Sequence, residues 1–411
     1  MTTTEPAADA QALQRRIVWV LVAAQVVGGL GIGATVSVGA LLAAEVSGSD
    51  SWSGMASTMS TLGAALLALP LARYARARGR RVALATGSAL AASSAVLLIV
   101  AAALSSFPLL LLAFALAGAG SATNLQARFA ATDLASPRHR GRDLSLVVWS
   151  TTVGSVLGPN LIEPGEAVGR MLGLPSLTGP FLFALAAQAV TVLVYAIFLR
   201  PDPLLKAREA LGVTPGEPPR LGFATLRVNA RARFAVASVA LSHATMVALM
   251  AMTPVHLYGH GASLAIVGLT ISLHVAGMFA LSPVFGWLSD RLGRLPVLLG
   301  GQTLLLAALV TAWFGSESHE LVAVSLVLLG LGWSASTISG SAMVVDAVPA
   351  GDRPGVQGVS DLLMNLAGAA GGALAGPVLT AIGYPGLGLA TTTLVAVVFV
   401  WAALRMARRP R

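Results

Sequence analysis

The sequence predicts an all-α membrane protein in which twelve transmembrane helices form two pseudo-symmetric six-helix bundles. The first observation is composition: 56% of the 411 residues are hydrophobic and 10% are charged, and the mean hydropathy is +0.80. The second is that apolar runs recur from residue 17 to residue 404, whereas a signal peptide would give one N-terminal run. A helix needs about 20 apolar residues to cross roughly 30 Å of hydrocarbon, and helices satisfy every backbone polar group in lipid.

Twelve spans follow from the lengths of these runs and the polar breaks between them. We place them at 17–44, 52–72, 81–104, 107–134, 144–163, 178–199, 233–257, 263–288, 296–315, 320–343, 356–382 and 386–405. They divide the chain into an N-terminal bundle at 1–200, a charged, proline-rich cytoplasmic linker at 201–232 and a C-terminal bundle at 233–411.

The distribution of basic residues predicts the orientation of the chain. If the N-terminus lies inside, all of the 26 Lys and Arg residues except Arg128 and Arg170 fall on the cytoplasmic side or at span edges. This positive-inside bias predicts that both termini lie on the cytoplasmic side. We expect the membrane to be a bacterial inner membrane. The bias also accounts for most of the net charge of +9 without a nucleic-acid partner.

The residues available for chemistry narrow the function classes. The chain has no cysteine, which excludes disulfides, thiolate metal sites and redox thiols. It contains no phosphate-binding loop and no Ser/His/Asp or His/Glu cluster placed for hydrolysis, so we do not predict an enzyme, and we predict no resident cofactor.

The chain repeats itself at about half its length. Gly79 and Gly293 are 214 residues apart, and Asp133 and Asp346, each seven residues before an arginine, are 213 apart. A third pair is a small-residue element followed by proline, which we interpret as close helix packing beside a disrupted helix. Its two copies are Gly154, Gly158 and Pro159 in span 5, and Gly372, Gly376 and Pro377 in span 11.

The loop between spans 8 and 9 resembles the signature of the major facilitator superfamily. The signature is complete there, as Gly286, Leu288, Asp290, Arg291, Gly293 and Arg294. The copy between spans 2 and 3 is degraded, because Arg76 occupies the aspartate position. The resemblance covers the whole chain and implies a carrier whose two bundles open a central site alternately to either side. It also implies that Asp290 steadies one conformation.

Histidine and methionine concentrate at 243–278, a segment that holds eight of the chain's 17 such residues (6 plus 11). Residues four apart share a helix face, so Met246 and Met250 form one edge and His274 and Met278 another, at similar depth. His243 extends the first edge by a turn. Thioether sulfur and imidazole suit copper, whereas methionine also fills gaps in ordinary apolar packing; the residues alone leave both readings open.

This pair of edges resembles the CcoA-like copper-importing branch of the superfamily. The resemblance implies that Met246, Met250, His274 and Met278 bind copper on an import path. The same branch includes relatives proposed to carry organic solutes such as riboflavin. We therefore predict a secondary active transporter, most simply for copper uptake, with a proton-coupled carrier of a small organic solute (a drug or a vitamin) as the alternative. We expect it to contact membrane lipid and to function as a monomer.

Charged residues inside or beside the spans predict a gating or structural ion-pair network. Arg128 lies within span 4 and needs a compensating carboxylate; Asp133, Asp143 and Asp361 are the candidates near the inner face. Asp290, Arg291 and Arg294 form the corresponding charged group in the loop between spans 8 and 9. No carboxylate lies at mid-depth, which weakens a model with a central proton acceptor.

Overall fold

Every regular element that the structure describes is helical. The structure is a computed structural model and describes residues 5–135, 140–211, 223–348 and 353–407; residues 212–222 of the predicted linker lie outside it. The helices are α1 (Glu5–Ser47), α2 (Met55–Arg78), α3 (Arg80–Ala103), α4 (Phe107–Ala130), α5 (Arg140–Leu157), α6 (Ile162–Met171), α7 (Pro180–Leu193), α8 (Pro203–Leu211), α9 (Phe223–Val228), α10 (Ala230–Gly259), α11 (Leu264–Phe279), α12 (Ser282–Leu292), α13 (Arg294–Phe314), α14 (His319–Ala347) and α15 (Arg353–Ala407). Short 3₁₀ turns occupy Asp50–Trp52 and Gly158–Leu161, and a π turn occupies Val194–Phe198.

Ten helical segments among the described residues are long and apolar enough to cross a membrane. The number differs from twelve at two places. Spans 11 and 12 run together as α15, interrupted at Gly383, whose φ of 72° is not helical. Span 5 is divided, because α5 ends at Leu157 and the chain tightens into a 3₁₀ turn at Gly158 and Pro159. Proline removes a backbone donor and disrupts the helical ladder, so the predicted element does break its helix.

Predicted span 8 is also divided in the structure. α11 ends at Phe279 and α12 begins at Ser282, with Pro283 in the first turn of α12. Proline is tolerated in a first turn because no intrahelical partner is lost there.

By contacts, the chain divides into two compact units. The first unit comprises Met1–Val36 and Gly63–Glu217, and the second comprises Ser37–Leu62 and Pro218–Arg411. The contact-based division differs from the predicted bundles at 37–62, which groups with the second unit. Many large apolar side chains are exposed, among them Leu66, Leu374 and Phe314, which is the surface expected of helices that face lipid.

In the first unit, α3 packs on α4 and α7. Two glycines, one in α5 and one in the 3₁₀ turn that follows it, bring their backbone against α1. A Cβ added to Gly154 would overlap the backbone of Val26 and Leu30, and one added to Gly158 would lie 2.7 Å from the nitrogen of Ala34. Gly154 and Gly158 therefore have the close-packing role predicted for the small-residue element.

In the second unit, α14 is central: it packs on α13, α11 and α10, while α10 packs chiefly on α15. The second copy of the small-residue element, on α15, contacts the 50–58 segment. A Cβ at Gly372 would lie 2.6 Å from the hydroxyl of Ser57, and one at Gly376 would overlap the carbonyl of Ser51. Pro377 follows inside α15 without ending it.

The internal repeat reappears as the same ion pair in each unit. Arg80 Nε lies 2.9 Å from Asp133 Oδ2 in the first unit, and Arg294 Nε lies 3.1 Å from Asp346 Oδ2 in the second. The arginine in each case opens a helix directly after a glycine with φ near +90° (Gly79, 91°; Gly293, 94°). Glycine adopts this left-handed region without the steric cost that a side chain would add.

The two copies differ at the position of the loop aspartate. Arg294 also pairs with Asp290 one turn earlier, whereas the first copy carries Arg76, whose side chain lies outside the described residues. In the first unit the carboxylate of Asp202 lies beside Gly79 and accepts a hydrogen bond from the backbone N–H of Arg81 at 2.7 Å. Asp202 also accepts from the N–H groups of Leu204 and Leu205, so one carboxylate caps both α3 and α8.

Burial of the two ion pairs predicts unequal contributions to stability. The side chains of Arg80 and Asp133 are 16% and 11% exposed, against 31% and 57% for Arg294 and Asp346. We expect Asp133→Asn to lower the free energy of unfolding by about 1–3 kcal/mol, as for a charged hydrogen bond lost in a part-buried place. The matched change Asp346→Asn should cost less than about 1 kcal/mol. Thermal unfolding of the purified variants checks this, and equal losses would contradict it.

Candidate functional site

The two histidines of the predicted site, His243 and His274, both contact α14. His274 of α11 is fully buried, and its Nδ1 lies 2.7 Å from the carbonyl oxygen of Leu326 on α14. Because a carbonyl only accepts, Nδ1 carries the proton, and the neutral ring then keeps a lone pair at Nε2. That Nε2 is buried and has no hydrogen-bond partner among the described residues. The ring therefore offers one oriented, unoccupied acceptor.

His243 of α10 has the opposite tautomer. The indole N–H of Trp333 on α14 donates to His243 Nδ1 at 3.0 Å, so a neutral His243 carries its proton on Nε2. The imidazole packs over Gly368 of α15, where an added Cβ would lie 2.8 Å from Nε2. Phe279 of α11 completes the group, with its ring centroid 5.9 Å from that of Trp333 in an edge-to-face arrangement. His243, Trp333 and Phe279 are each half-buried.

The predicted thioethers differ in exposure. Met246 is 2% exposed, whereas Met250 and Met278 are half-buried. α11 packs chiefly on α14 and only weakly on α10, so both histidines are oriented by α14 or α15 and not by each other's helix. Among the described residues, no three His, Asp or Glu side chains converge to hold a metal ion. A metal at this site would therefore depend on the thioether sulfurs.

Close backbone packing positions His274. A Cβ at Gly330 of α14 would overlap the carbonyl oxygen of His274, and one at Gly277 would lie 2.9 Å from the carbonyl oxygen of Val327. These glycines let α11 and α14 approach closely enough for the His274–Leu326 hydrogen bond to form. Sequence reasoning did not identify Trp333, Phe279 or Gly330 as part of the site.

The predicted charged residues have the following neighbours. Asp133 pairs with Arg80, and Asp143 accepts a hydrogen bond from Gln14 at 2.7 Å. Arg128 donates to the carbonyl of Leu125 at 3.2 Å and lies over the ring of Phe129. In the second unit, Asp290 pairs with Arg294, and Arg291 lies over the ring of Trp287. Asp361 is exposed on α15. The gating role of these groups stays a prediction.

A polar network inside the first unit was also missed. Gln25 of α1, Asn124 of α4, Thr151 of α5 and Tyr195 of the π turn contact one another through their side chains. The available signal was an amide in an apolar run, as in VAAQVVGG around Gln25. Intramembrane polar residues usually mark function.

Comparison with known proteins agrees with this architecture. The family model described as Major Facilitator Superfamily matches residues 21–266 and 234–411. The chain is 40% identical over 400 residues to the uncharacterized MFS-type transporter YdeG of Bacillus subtilis (strain 168), covering 95% of this chain and 93% of the relative. It is 37% identical over 397 residues to YddS, an uncharacterized MFS-type transporter of the same organism, covering 95% of this chain and 91% of the relative.

Two further similarities extend the comparison. The chain is 29% identical over 399 residues to the riboflavin transporter RfnT of Brucella anthropi, covering 97% of each chain. The crystal structure of the human organic anion transporter MFSD10 (TETRAN) superposes with a TM-score of 0.65 at 18% identity, covering 94% of this chain and 99% of that one; at this identity the likeness concerns the fold. The family model and the relatives span nearly the whole chain, which therefore belongs to the major facilitator superfamily as a multi-pass membrane transporter.

Proposed function

We propose that this transporter carries a small organic solute with a planar ring, and that the solute contacts His243, Trp333 and Phe279. The observation that carries the proposal is that the ring centroid of Trp333 lies 5.9 Å from those of His243 and Phe279, and that all three rings are half-buried. Aromatic faces stack on planar solutes, and the Nε2–H of His243 adds one donor. The similarity to the riboflavin transporter RfnT supports a heteroaromatic solute.

Copper uptake is the second candidate, and one observation favours it specifically. A metal-ligating histidine usually donates its other ring N–H to a carbonyl or carboxylate, which orients the ring. His274 has this arrangement with Leu326, and its free Nε2 is buried. Met246, Met250 and Met278, on the same two helices, would supply the soft thioether ligands that favour Cu(I).

Two uptake assays on the same variants separate the candidates. We would express the protein in a bacterial host lacking its own riboflavin and copper importers, and measure uptake of radiolabelled riboflavin and cellular copper by mass spectrometry. For an organic solute, we expect Trp333→Ala to reduce riboflavin uptake at least tenfold and Met246→Ala to leave it within twofold. For copper, Met246→Ala would abolish accumulation of the metal. Riboflavin uptake that is unchanged by Trp333→Ala contradicts the first proposal.

Direction and coupling form part of the proposal. We propose import into the cytoplasm through a monomer. The arginine distribution supports the cytoplasmic placement of both termini. Proton coupling is the simplest energy source for uptake of an organic solute. Collapse of the proton gradient with an uncoupler should then lower accumulation to the passive level, and undiminished accumulation would contradict the coupling.

A further inference from the structure

The polar network of the first unit lies among apolar spans. Gln25, on α1, and Tyr195, on the π turn that follows α7, are buried, whereas Asn124 on α4 and Thr151 on α5 are half-buried. Asn124 stands six residues before the end of α4, which is roughly 9 Å at 1.5 Å per residue. A polar group at this depth is costly unless it is paired or used.

Hydrogen bonds determine which way the Asn124 amide points. Gln25 Nε2 lies 3.4 Å from the backbone carbonyl oxygen of Asn124. A carbonyl only accepts, so that end of the Gln25 amide must be the nitrogen. The same nitrogen donates to Asn124 Oδ1 at 2.7 Å, so the amide oxygen of Asn124 faces Gln25.

Two hydroxyl groups support this orientation. The Thr151 hydroxyl lies 3.4 Å from Asn124 Oδ1, and the Tyr195 hydroxyl lies 3.4 Å from Gln25 Oε1. The network is thus fully directional, from Tyr195 through Gln25 to Asn124. Its end point is the Asn124 Nδ2 group, which donates to no acceptor within the part of the chain that the structure describes.

Asn124 belongs to a polar stripe on α4. Ser121, Asn124 and Arg128 are half-buried, and their spacing of three and then four residues places them on one helix face. Each of them donates hydrogen bonds: a hydroxyl, an amide with two N–H groups and a guanidinium. Histidine, cysteine and methionine are missing from this face, so it offers no soft metal ligand.

We propose that the Ser121–Asn124–Arg128 face of α4 is a solute-binding site that recognises carbonyl or carboxylate oxygens. Asn124 contacts the solute, and Gln25, Thr151 and Tyr195 are positioning residues that hold its amide with the N–H groups outward. The inference deepens the proposed organic-solute function and rests on it. A face of hydrogen-bond donors recognises oxygen acceptors, and it carries no thioether, thiol or imidazole ligand for a copper ion. Riboflavin, with two ring carbonyl oxygens, is a suitable probe.

The test reverses the polarity of one group. Asn124→Asp keeps the shape and still accepts from Gln25, but it presents an oxygen where the N–H groups stood. We expect riboflavin uptake at sub-saturating concentration to fall on the order of 10–100-fold, as for loss of a charged or buried hydrogen bond. Asn160→Asp, the same change at an exposed amide of the 3₁₀ turn after α5, is the matched control and should stay within twofold of the wild type.

A second variant protects the test against a folding failure. Thr151→Val removes one hydroxyl that holds Asn124 without adding charge, and should raise the KM for riboflavin several-fold while expression and thermal unfolding stay near those of the wild type. Wild-type uptake by Asn124→Asp, or an unaltered KM in Thr151→Val, overturns the proposed site.

A solute-independent measurement separates failure of this site from failure of the proposed function. If the wild type does not transport riboflavin, the purified protein is screened by thermal unfolding against a panel of ring carboxylates and imides. Stabilisation that disappears in Asn124→Asp but persists in Asn160→Asp supports the site even though riboflavin is not the solute. A panel that never stabilises the wild type overturns the site as well.

Discussion

Replacing Gly330 by alanine is expected to disrupt the second unit and abolish transport of any solute. The added Cβ would overlap the carbonyl oxygen of His274 and lie 3.0 Å from the backbone nitrogen of Met278. Neither backbone atom can rotate away, so α11 must separate from α14, and the His274–Leu326 hydrogen bond one turn away lengthens. Overpacking of this kind costs about 1–3 kcal/mol and occasionally more. Thermal unfolding of the purified protein and uptake by cells both report the effect.

Gly300 provides the matched control. It lies in the interior of α13, and a Cβ there would meet nothing within 4 Å. Gly300→Ala should therefore change the free energy of unfolding by at most about 1 kcal/mol, the difference in helix propensity between the two residues. If Gly330→Ala is as stable and as active as Gly300→Ala, the close approach of α11 and α14 is not required.

For copper as the cargo, replacing His274 by asparagine is expected to leave the fold intact and to reduce copper uptake at least tenfold, in line with the 10–100-fold losses that accompany changes around metal ligands. The asparagine amide N–H stands near the position of Nδ1, so it can keep the hydrogen bond to Leu326, whereas nothing replaces the Nε2 lone pair. Thermal unfolding checks the first half of the expectation, and cellular copper accumulation checks the second.

His274→Gln tests the other nitrogen. Glutamine reaches the Nε2 position but cannot donate from the Nδ1 position, so the buried carbonyl of Leu326 loses its side-chain partner, which costs about 1–3 kcal/mol. We expect this variant to be less stable than His274→Asn. If His274→Asn transports both riboflavin and copper like the wild type, the Nε2 lone pair has no role in recognition.

Much of the fold was predictable because lipid imposes strict rules on a chain. Apolar runs, the arginine distribution and the internal repeat indicated helices, two similar halves and the superfamily. A disrupted helix was predicted at both Gly-Pro elements, but only the element at Gly158 and Pro159 ends its helix, whereas Gly376 and Pro377 lie inside α15. What decides between them is tertiary packing.

The site was harder to predict for a physical reason. Helical spacing groups residues on a face, so Met246 with Met250 and His274 with Met278 were identifiable. Which helix that face contacts depends on how closely the two helix backbones can approach each other. The glycines of α11 and α14 that allow this close approach cannot be told from other small residues of a membrane span by sequence alone. His274 is thus oriented by Leu326 of α14, 52 residues along the chain, and its partner gave no signal in sequence.

The Asp202 cap bears on how the gene for this protein can be divided. This carboxylate belongs by position to the predicted linker, yet it closes the first turn of α3 through Arg81 and the first turn of α8 through Leu204 and Leu205. A split-gene pair of co-expressed fragments that separates at residue 200 would give the cap to the wrong fragment. A junction after Leu211 keeps Asp202 in the same fragment as both helices that it caps, α3 and α8.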